Sequence, residues 1–186
     1  MGKIVLVTGG ARSGKSSFAE RMASGFGKNI LYIATSIPFD EEMKERVKKH
    51  KGSRPKEWDT YEGFEKLNEV IKARGNSYNG VLIDCITILI SNLMFYSIGD
   101  NEENLNSKNI NDLEEKIRNE INDILNEISR VNSNFVIVTN EVGYGIVPEN
   151  KLARIYRDIV GRINQNIASR ADEVYLVTCG LPMKIK

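Results

Sequence analysis

The run Gly9-Gly10-Ala11-Arg12-Ser13-Gly14-Lys15-Ser16 stands directly behind the apolar stretch Ile4-Val5-Leu6-Val7 and matches G-x-x-x-x-G-K-[ST]. That spacing has a specific chemistry. The glycines let backbone N–H groups wrap phosphate oxygens, the lysine reaches the β and γ oxygens, and the following hydroxyl ligates Mg²⁺. Ser17 to Ala23 reads as helix, so the positive end of its dipole faces the anion. A Gly-rich turn matching by chance would lack the strand before and the helix after. Both are expected here, and the segment reads as a triphosphate cradle.

Such a cradle needs a carboxylate at a strand end to hold or orient Mg²⁺. Asp84 closes the run Val81-Leu82-Ile83-Asp84, and Glu141 follows another strand end at Thr139-Asn140. Either fits, and a strand-end Asp that merely caps the next element fits the pattern equally well. The motif alone implies a kinase, an NTPase or a nucleotide-gated switch.

The chain has one histidine, His50, so any imidazole chemistry falls to it. His50 lies in Asp40-Glu41-Glu42-Met43-Lys44-Glu45-Arg46-Val47-Lys48-Lys49-His50-Lys51-Gly52-Ser53-Arg54-Pro55. Acidic residues first and basic residues last suit a helix dipole, with Gly52 and Pro55 ending the helix. Met43, Val47 and His50 share one face of that helix. Two readings stay open. In one, His50 is a helix-end histidine beside a solvated charge run. In the other, Arg46, Lys48, Lys49, Lys51 and Arg54 keep the imidazole neutral and nucleophilic, and stabilise charge on an α-phosphate and a departing pyrophosphate.

The elements that must position these groups are legible as a pattern. Short β-branched runs at Ile4–Val7, Ile30–Ile33, Val81–Ile83, Phe135–Val138 and Val174–Val177 alternate with longer segments of helical period. Alternation of this kind predicts an α/β fold with a mostly parallel central sheet, its strands covered on both faces. Leu113, Ile117, Ile121, Ile124 and Ile128 make one amphipathic helix. Leu152, Ile155, Ile159, Ile163 and Ile167 make another, with Asn150 as its N-cap. Tyr96 to Asn111, rich in Asn, Glu and Ser, is expected to be a mobile surface loop. Cys85 and Cys179 adjoin strands and are expected to be buried thiols.

Composition narrows the partners. The chain has 186 residues, 41% hydrophobic and 27% charged, which suits one domain over 1–186. Its net charge of +1 gives no global field for nucleic acid or an anionic membrane, so an anion must be caught locally. The first apolar run is too short for a membrane span or signal peptide. Two cysteines are too few for a disulfide framework and point to a reducing compartment, the cytoplasm.

A resemblance now covers nearly the whole chain. It is carried by TGGARSGKS (Thr8 to Ser16), YIATS (Tyr32 to Ser36), the DEEM…RV..H…RP..W run (Asp40 to Trp58), LIDCIT (Leu82 to Thr87) and NEVGYGIVPEN (Asn140 to Asn150). The sequence resembles the bifunctional adenosylcobinamide kinase/adenosylcobinamide-phosphate guanylyltransferase family of cobalamin biosynthesis. The resemblance implies a single-domain P-loop NTPase fold (RecA-like). It also implies phosphorylation of adenosylcobinamide by ATP or GTP, then GMP transfer from GTP to adenosylcobinamide phosphate through a guanylyl-histidine. It places that nucleophile at His50, with Lys15 the phosphate-loop lysine. Nucleotide contacts are implied at Gly9 to Ser16, at Ala34, Thr35 and Ser36, at Lys51, Gly52, Ser53 and Arg54, and at Glu62 and Asp84. Glu62 would accept hydrogen bonds from guanine N1–H and N2–H₂; by itself it reads as a solvated helix-start Glu. Ser16 and Asp84 would hold Mg²⁺, and a homotrimer is implied. The corrinoid has no assigned contacts; the Gly143-Tyr144-Gly145 loop and the Tyr96–Asn111 stretch are candidates. Two alternatives remain, a monofunctional small-molecule P-loop kinase with His50 a bystander and a non-enzymatic nucleotide switch.

Overall fold

The computed structural model describes residues 2–36, 55, 57–99 and 106–186. His50, Lys51, Gly52, Ser53 and Arg54 lie outside the described residues, as does the expected helix that carries His50.

Seven strands form one sheet: β1 (Ile4–Gly9), β2 (Ile30–Ala34), β3 (Asp59–Glu62), β4 (Gly80–Asp84), β5 (Asn134–Val138), β6 (Glu173–Thr178) and β7 (Leu181–Lys184). Their spatial order is β3-β2-β4-β5-β1-β6-β7. All neighbours are parallel except β6 and β7, which pair antiparallel. Five helices accompany them among the described residues: α1 (Lys15–Ser24), α2 (Leu67–Arg74), α3 (Ile86–Ile98), α4 (Ser107–Ile128) and α5 (Lys151–Arg170).

The apolar runs read from the sequence are the five central strands, and the period of two along them sorts two cores. Val5, Val7, Ile30, Tyr32, Ala34, Leu82, Val136 and Val138 pack with Ala19 and Ala23 of α1 on one face. Leu6, Leu31, Ile33, Val81, Ile83, Phe135 and Ile137 pack with α2, α3, α4 and α5 on the other. Helices therefore cover both faces, and the strands have no polar side to betray an exposed surface.

Asn150 caps α5 as its side-chain oxygen accepts from Ala153 N–H at 2.9 Å. Asn106 caps α4 in the same way through Asn109 N–H at 2.9 Å. The expected Tyr96–Asn111 loop is corrected at both ends. Helix α3 continues through Ile98 and stops at Gly99 (φ 54°), while α4 already begins at Ser107. Tertiary contact supplies the reason: the Tyr96 ring meets Phe64 edge-on at 6.3 Å, and Lys116 Nζ donates to Ser97 Oγ at 3.1 Å. Cys85 is buried, but Cys179 is exposed in the β6–β7 turn at φ 53°, contrary to its expected burial. No helix among the described residues is long and apolar enough to cross a membrane.

Candidate active site at the carboxyl edge of the sheet

Parallel pairing sets the strand ends side by side. Glu62 of β3 faces Ala34 of β2, Ala34 faces Asp84 of β4, and Asp84 faces Val138 of β5. One row thus joins residues that the sequence spreads over more than a hundred positions. Glu62 ends a strand and does not start a helix, and Gly63 N–H extends the pairing by donating to Ala34 O at 3.0 Å.

The phosphate loop leaves the same edge between β1 and α1. Gly9 sits against β6: a Cβ there would lie 2.4 Å from the Val177 carbonyl oxygen and 2.7 Å from Ser13 Oγ. Gly14 is the N-cap of α1 in the left-handed region, φ 90°. A Cβ on it would meet Gly180 Cα at 3.1 Å, because Gly180 N–H donates to Ser13 O at 2.8 Å. Arg12 also takes a positive φ of 59°. The Gly10 carbonyl accepts from Ser13 N–H at 3.3 Å and from the Lys15 ammonium at 3.1 Å. These bonds fold the loop upon itself over the α1 N-terminus, the arrangement that collects anions. Ala11 is exposed at the rim, Ser16 lies in the first turn of α1, and Ser13 Oγ is buried with no hydrogen-bond partner among the described residues.

Burial holds the Lys15 ammonium below its usual pKa, opposed by its neighbours Cys85 and Asp84. Asp84 and Lys15 therefore feel each other across the β4 and β1 strand ends. Asp84 is fixed by Tyr32, whose hydroxyl donates to Oδ2 at 2.7 Å. Burial pushes the neighbouring Cys85 thiol up to about 11, so it stays protonated at neutral pH. Glu141, the rival carboxylate, is engaged locally: Oε1 accepts from Gly143 N–H at 2.6 Å, and its own N–H donates to Gly9 O at 3.1 Å. It braces the loop, and Asp84 is the carboxylate whose charge acts on the lysine.

Thr35 is fully buried, and its hydroxyl accepts from Cys85 N–H at 2.9 Å and donates to Cys85 O at 2.8 Å. Ala34 is likewise buried, and Ser36 is half-buried. Sequence reasoning missed the residues that brace this edge. Asn92 Nδ2 donates to Thr35 O at 2.8 Å. Asn140 Nδ2 donates to Thr87 Oγ1 at 2.6 Å, and Tyr156 OH donates to Thr87 O at 3.1 Å. A polar residue inside an apolar helix, as Asn92 is in α3, was the only available signal.

Comparison with known proteins identifies the family. A family model described as cobinamide kinase / cobinamide phosphate guanyltransferase matches residues 5–185. The bifunctional adenosylcobalamin biosynthesis protein CobU of Escherichia coli is 44% identical over 183 residues, 98% of this chain and 99% of that protein. Its namesake in Salmonella typhimurium is 45% identical over 183 residues with the same coverage. The bifunctional adenosylcobalamin biosynthesis protein CobP of Pseudomonas aeruginosa is 34% identical over 181 residues, 97% of this chain and 96% of that protein. A match over residues 5–185 takes in the phosphate loop and every strand of the sheet but for Ile4: the chain belongs to the cobinamide kinase / cobinamide phosphate guanyltransferase family.

Proposed function

We propose that this protein phosphorylates adenosylcobinamide with ATP or GTP and then transfers GMP from GTP to adenosylcobinamide phosphate. The observation that carries the reading is the half-buried Lys15 held on the Gly10 carbonyl at the α1 N-terminus, within the field of Asp84. In the kinase step the acceptor hydroxyl oxygen attacks the γ-phosphorus, the bond to the bridging oxygen breaks, and the nucleoside diphosphate leaves as the hydroxyl proton is lost. Little covalent chemistry is asked of the protein. Lys15 and the loop N–H groups hold the phosphates in line and offset their charge.

In the guanylyl step the neutral imidazole of His50 attacks the α-phosphorus of GTP and pyrophosphate leaves, giving a phosphoramidate. A phosphate oxygen of adenosylcobinamide phosphate then attacks that phosphorus, and the P–N bond breaks to restore His50. Splitting the transfer replaces one difficult displacement by two easier ones. Lys51, Gly52, Ser53 and Arg54 follow the nucleophile and would meet the nucleotide with it. Glu62 ends β3 in the same row as Ala34 and Asp84, where a carboxylate can read guanine N1–H and N2–H₂.

The Ser16 hydroxyl and the Asp84 carboxylate are hard oxygen donors and, completed by phosphate oxygens and water, suit Mg²⁺. When bound, the ion neutralises phosphate charge. Tyr32 then serves to fix which way the Asp84 carboxylate points. The reading includes one domain over 1–186, working as a homotrimer in the cytoplasm.

GTP radiolabelled at the α-phosphate tests the transferase half. The full chain should take up acid-labile, base-stable label that vanishes in His50→Ala and is discharged by adenosylcobinamide phosphate. No covalent label in the presence of Mg²⁺ overturns that half. Adenosylcobinamide-dependent consumption of ATP tests the kinase half independently of His50.

A further inference from the structure

Regular pairing between β2 and β4 ends at Ala34 and Asp84. Beyond it the ladder continues by side chains. Thr35 N–H donates to Asp84 O at 3.1 Å. The Thr35 hydroxyl then engages both backbone groups of Cys85, accepting at 2.9 Å and donating at 2.8 Å. The residue after Asp84 is thus gripped through its N–H and its C=O by one hydroxyl. Thr35 is itself held from behind, by Asn92 Nδ2 on its carbonyl at 2.8 Å. Asn92 is 4% exposed in the second turn of α3, whose other buried side chains are Ile86, Thr87, Leu89, Ile90 and Met94. A buried amide in such a helix carries a desolvation cost that only a specific bond offsets.

We propose that Asn92 is a positioning residue for both reactions: through Thr35 it fixes the Asp84–Cys85 strand end, and thereby the Asp84 carboxylate relative to Lys15 and the bound phosphates. The proposal rests on the assignment of Asp84 to the nucleotide's divalent cation. Four bonds join that strand end to β2 and the residue after it, namely Tyr32 to the carboxylate, Thr35 N–H to the Asp84 carbonyl and the Thr35 hydroxyl with both backbone groups of Cys85. Asn92 is the group that ties Thr35 to a helix. Outer partners of this kind orient a ligand without touching the ion, and their loss typically weakens metal affinity by about tenfold to a hundredfold.

The experiment measures binding of a fluorescent N-methylanthraniloyl GTP to the full chain with and without MgCl₂, alongside thermal melting. The readout is the Mg²⁺-dependent gain in affinity, which needs no turnover. Asp84→Asn should abolish that gain. Asn92→Leu and Thr35→Val, which keep volume but remove the donor or the hydroxyl, should cut it by about tenfold. The Mg²⁺-free affinity of Asn92→Leu should stay within about twofold of the parent, since the phosphate loop is untouched. Thr35→Ser restores the hydroxyl and should restore the gain.

If Asp84→Asn abolishes the gain while Asn92→Leu and Thr35→Val keep it, the positioning role is overturned and the Asp84 assignment stands. A gain unaffected by Asp84→Asn overturns that assignment and the inference with it. If Asn92→Leu and Thr35→Val fail to fold while Thr35→Ser matches the parent in both readouts, the network is structural and the proposal is overturned as well.

Discussion

Gly9 and Gly10 are adjacent in the phosphate loop, and the structure assigns them opposite sensitivities. Alanine at Gly9 would place its Cβ 2.4 Å from the Val177 carbonyl oxygen, a backbone atom of the paired strand, and 2.7 Å from Ser13 Oγ. The carbonyl oxygen cannot swing aside as a side-chain tip could, whereas Ser13 Oγ can turn about its χ1. Relief requires β1 and β6 to part, which also loads the Glu141 N–H bond to Gly9 O. Overpacking of this kind costs about 1–3 kcal/mol. For a chain of this length each kcal/mol lowers Tm by about 2–4 °C, so Gly9→Ala should melt roughly 3–10 °C below the parent. Alanine at Gly10 meets nothing within 4 Å. Gly10→Ala should stay within about 2 °C, because it adds no clash and also restricts the unfolded chain. Thermal melts of the nucleotide-free proteins by circular dichroism decide it. Gly9→Ala melting with the parent, or Gly10→Ala falling as far as Gly9→Ala, would refute the reasoning.

Three further outcomes are expected. Burial lowers the Lys15 pKa, and a triphosphate restores it, so binding of GTP should take up protons as pH approaches the ordinary lysine value of 10.5. Calorimetry in buffers of differing ionisation enthalpy reads that uptake, and Lys15→Arg should remove it; equal enthalpies in every buffer contradict it. Glu114 bridges α4 and α5 by accepting from Arg162 at 2.6 and 2.7 Å and from Arg118 at 3.3 Å, and the Arg162 bonds hold its pKa below the usual 4.5 against the opposing effect of burial. A folded-state pKa below the unfolded one means stability that is full above pH 4.5 and fades as pH falls through the folded value. Urea unfolding should therefore show Glu114→Gln about 1–2 kcal/mol less stable at pH 7, with the gap closing as pH falls below 4.5. Asn150→Ala removes the α5 cap and should cost about 1 kcal/mol, seen as a lower urea midpoint with unchanged slope.

What was legible in the chain follows from how each element is covered. The five central strands are wrapped on both faces, so their sequences are apolar throughout and announce themselves. The two outer strands do not. Asp59-Thr60-Tyr61-Glu62 is mostly exposed, and Leu181-Pro182-Met183-Lys184 is exposed throughout, with a proline that edge strands tolerate. Neither has an apolar period to read. The site divides in the same way. The phosphate loop is contiguous, so its spacing alone exposes it. The Thr35–Asn92 bond spans 57 positions and the Tyr32–Asp84 bond 52, and no local pattern reports a partner so distant. Asp84 and Glu141 were equivalent as strand-end carboxylates, and only the folded arrangement separates the one whose charge acts on Lys15 from the one bonded to Gly143 N–H.

That geometry also explains how a chain of net charge +1 can manage a triphosphate at all. No long-range field draws the nucleotide in, so affinity must come from groups held in place before it arrives. The phosphate loop is pinned from three directions: Gly9 packed on the Val177 carbonyl, Ser13 O bonded to Gly180 N–H, and Gly9 O bonded to Glu141 N–H. Asp84 is pinned from β2, and β2 is also the strand from which the chain departs toward His50 and to which Trp58 returns, its ring 6.5 Å from that of Tyr32. One strand end therefore neighbours both Asp84 and the point where the chain leaves toward His50, the nucleophile of the proposed transferase step. On the proposed function, Lys15 and Asp84 serve both γ-phosphoryl and α-phosphoryl chemistry, and their loss should depress both activities together. On the same reading His50 serves one activity alone. The ratio of the two rates across substitutions, and not either rate by itself, is what separates the shared cradle from the transferase machinery built onto it.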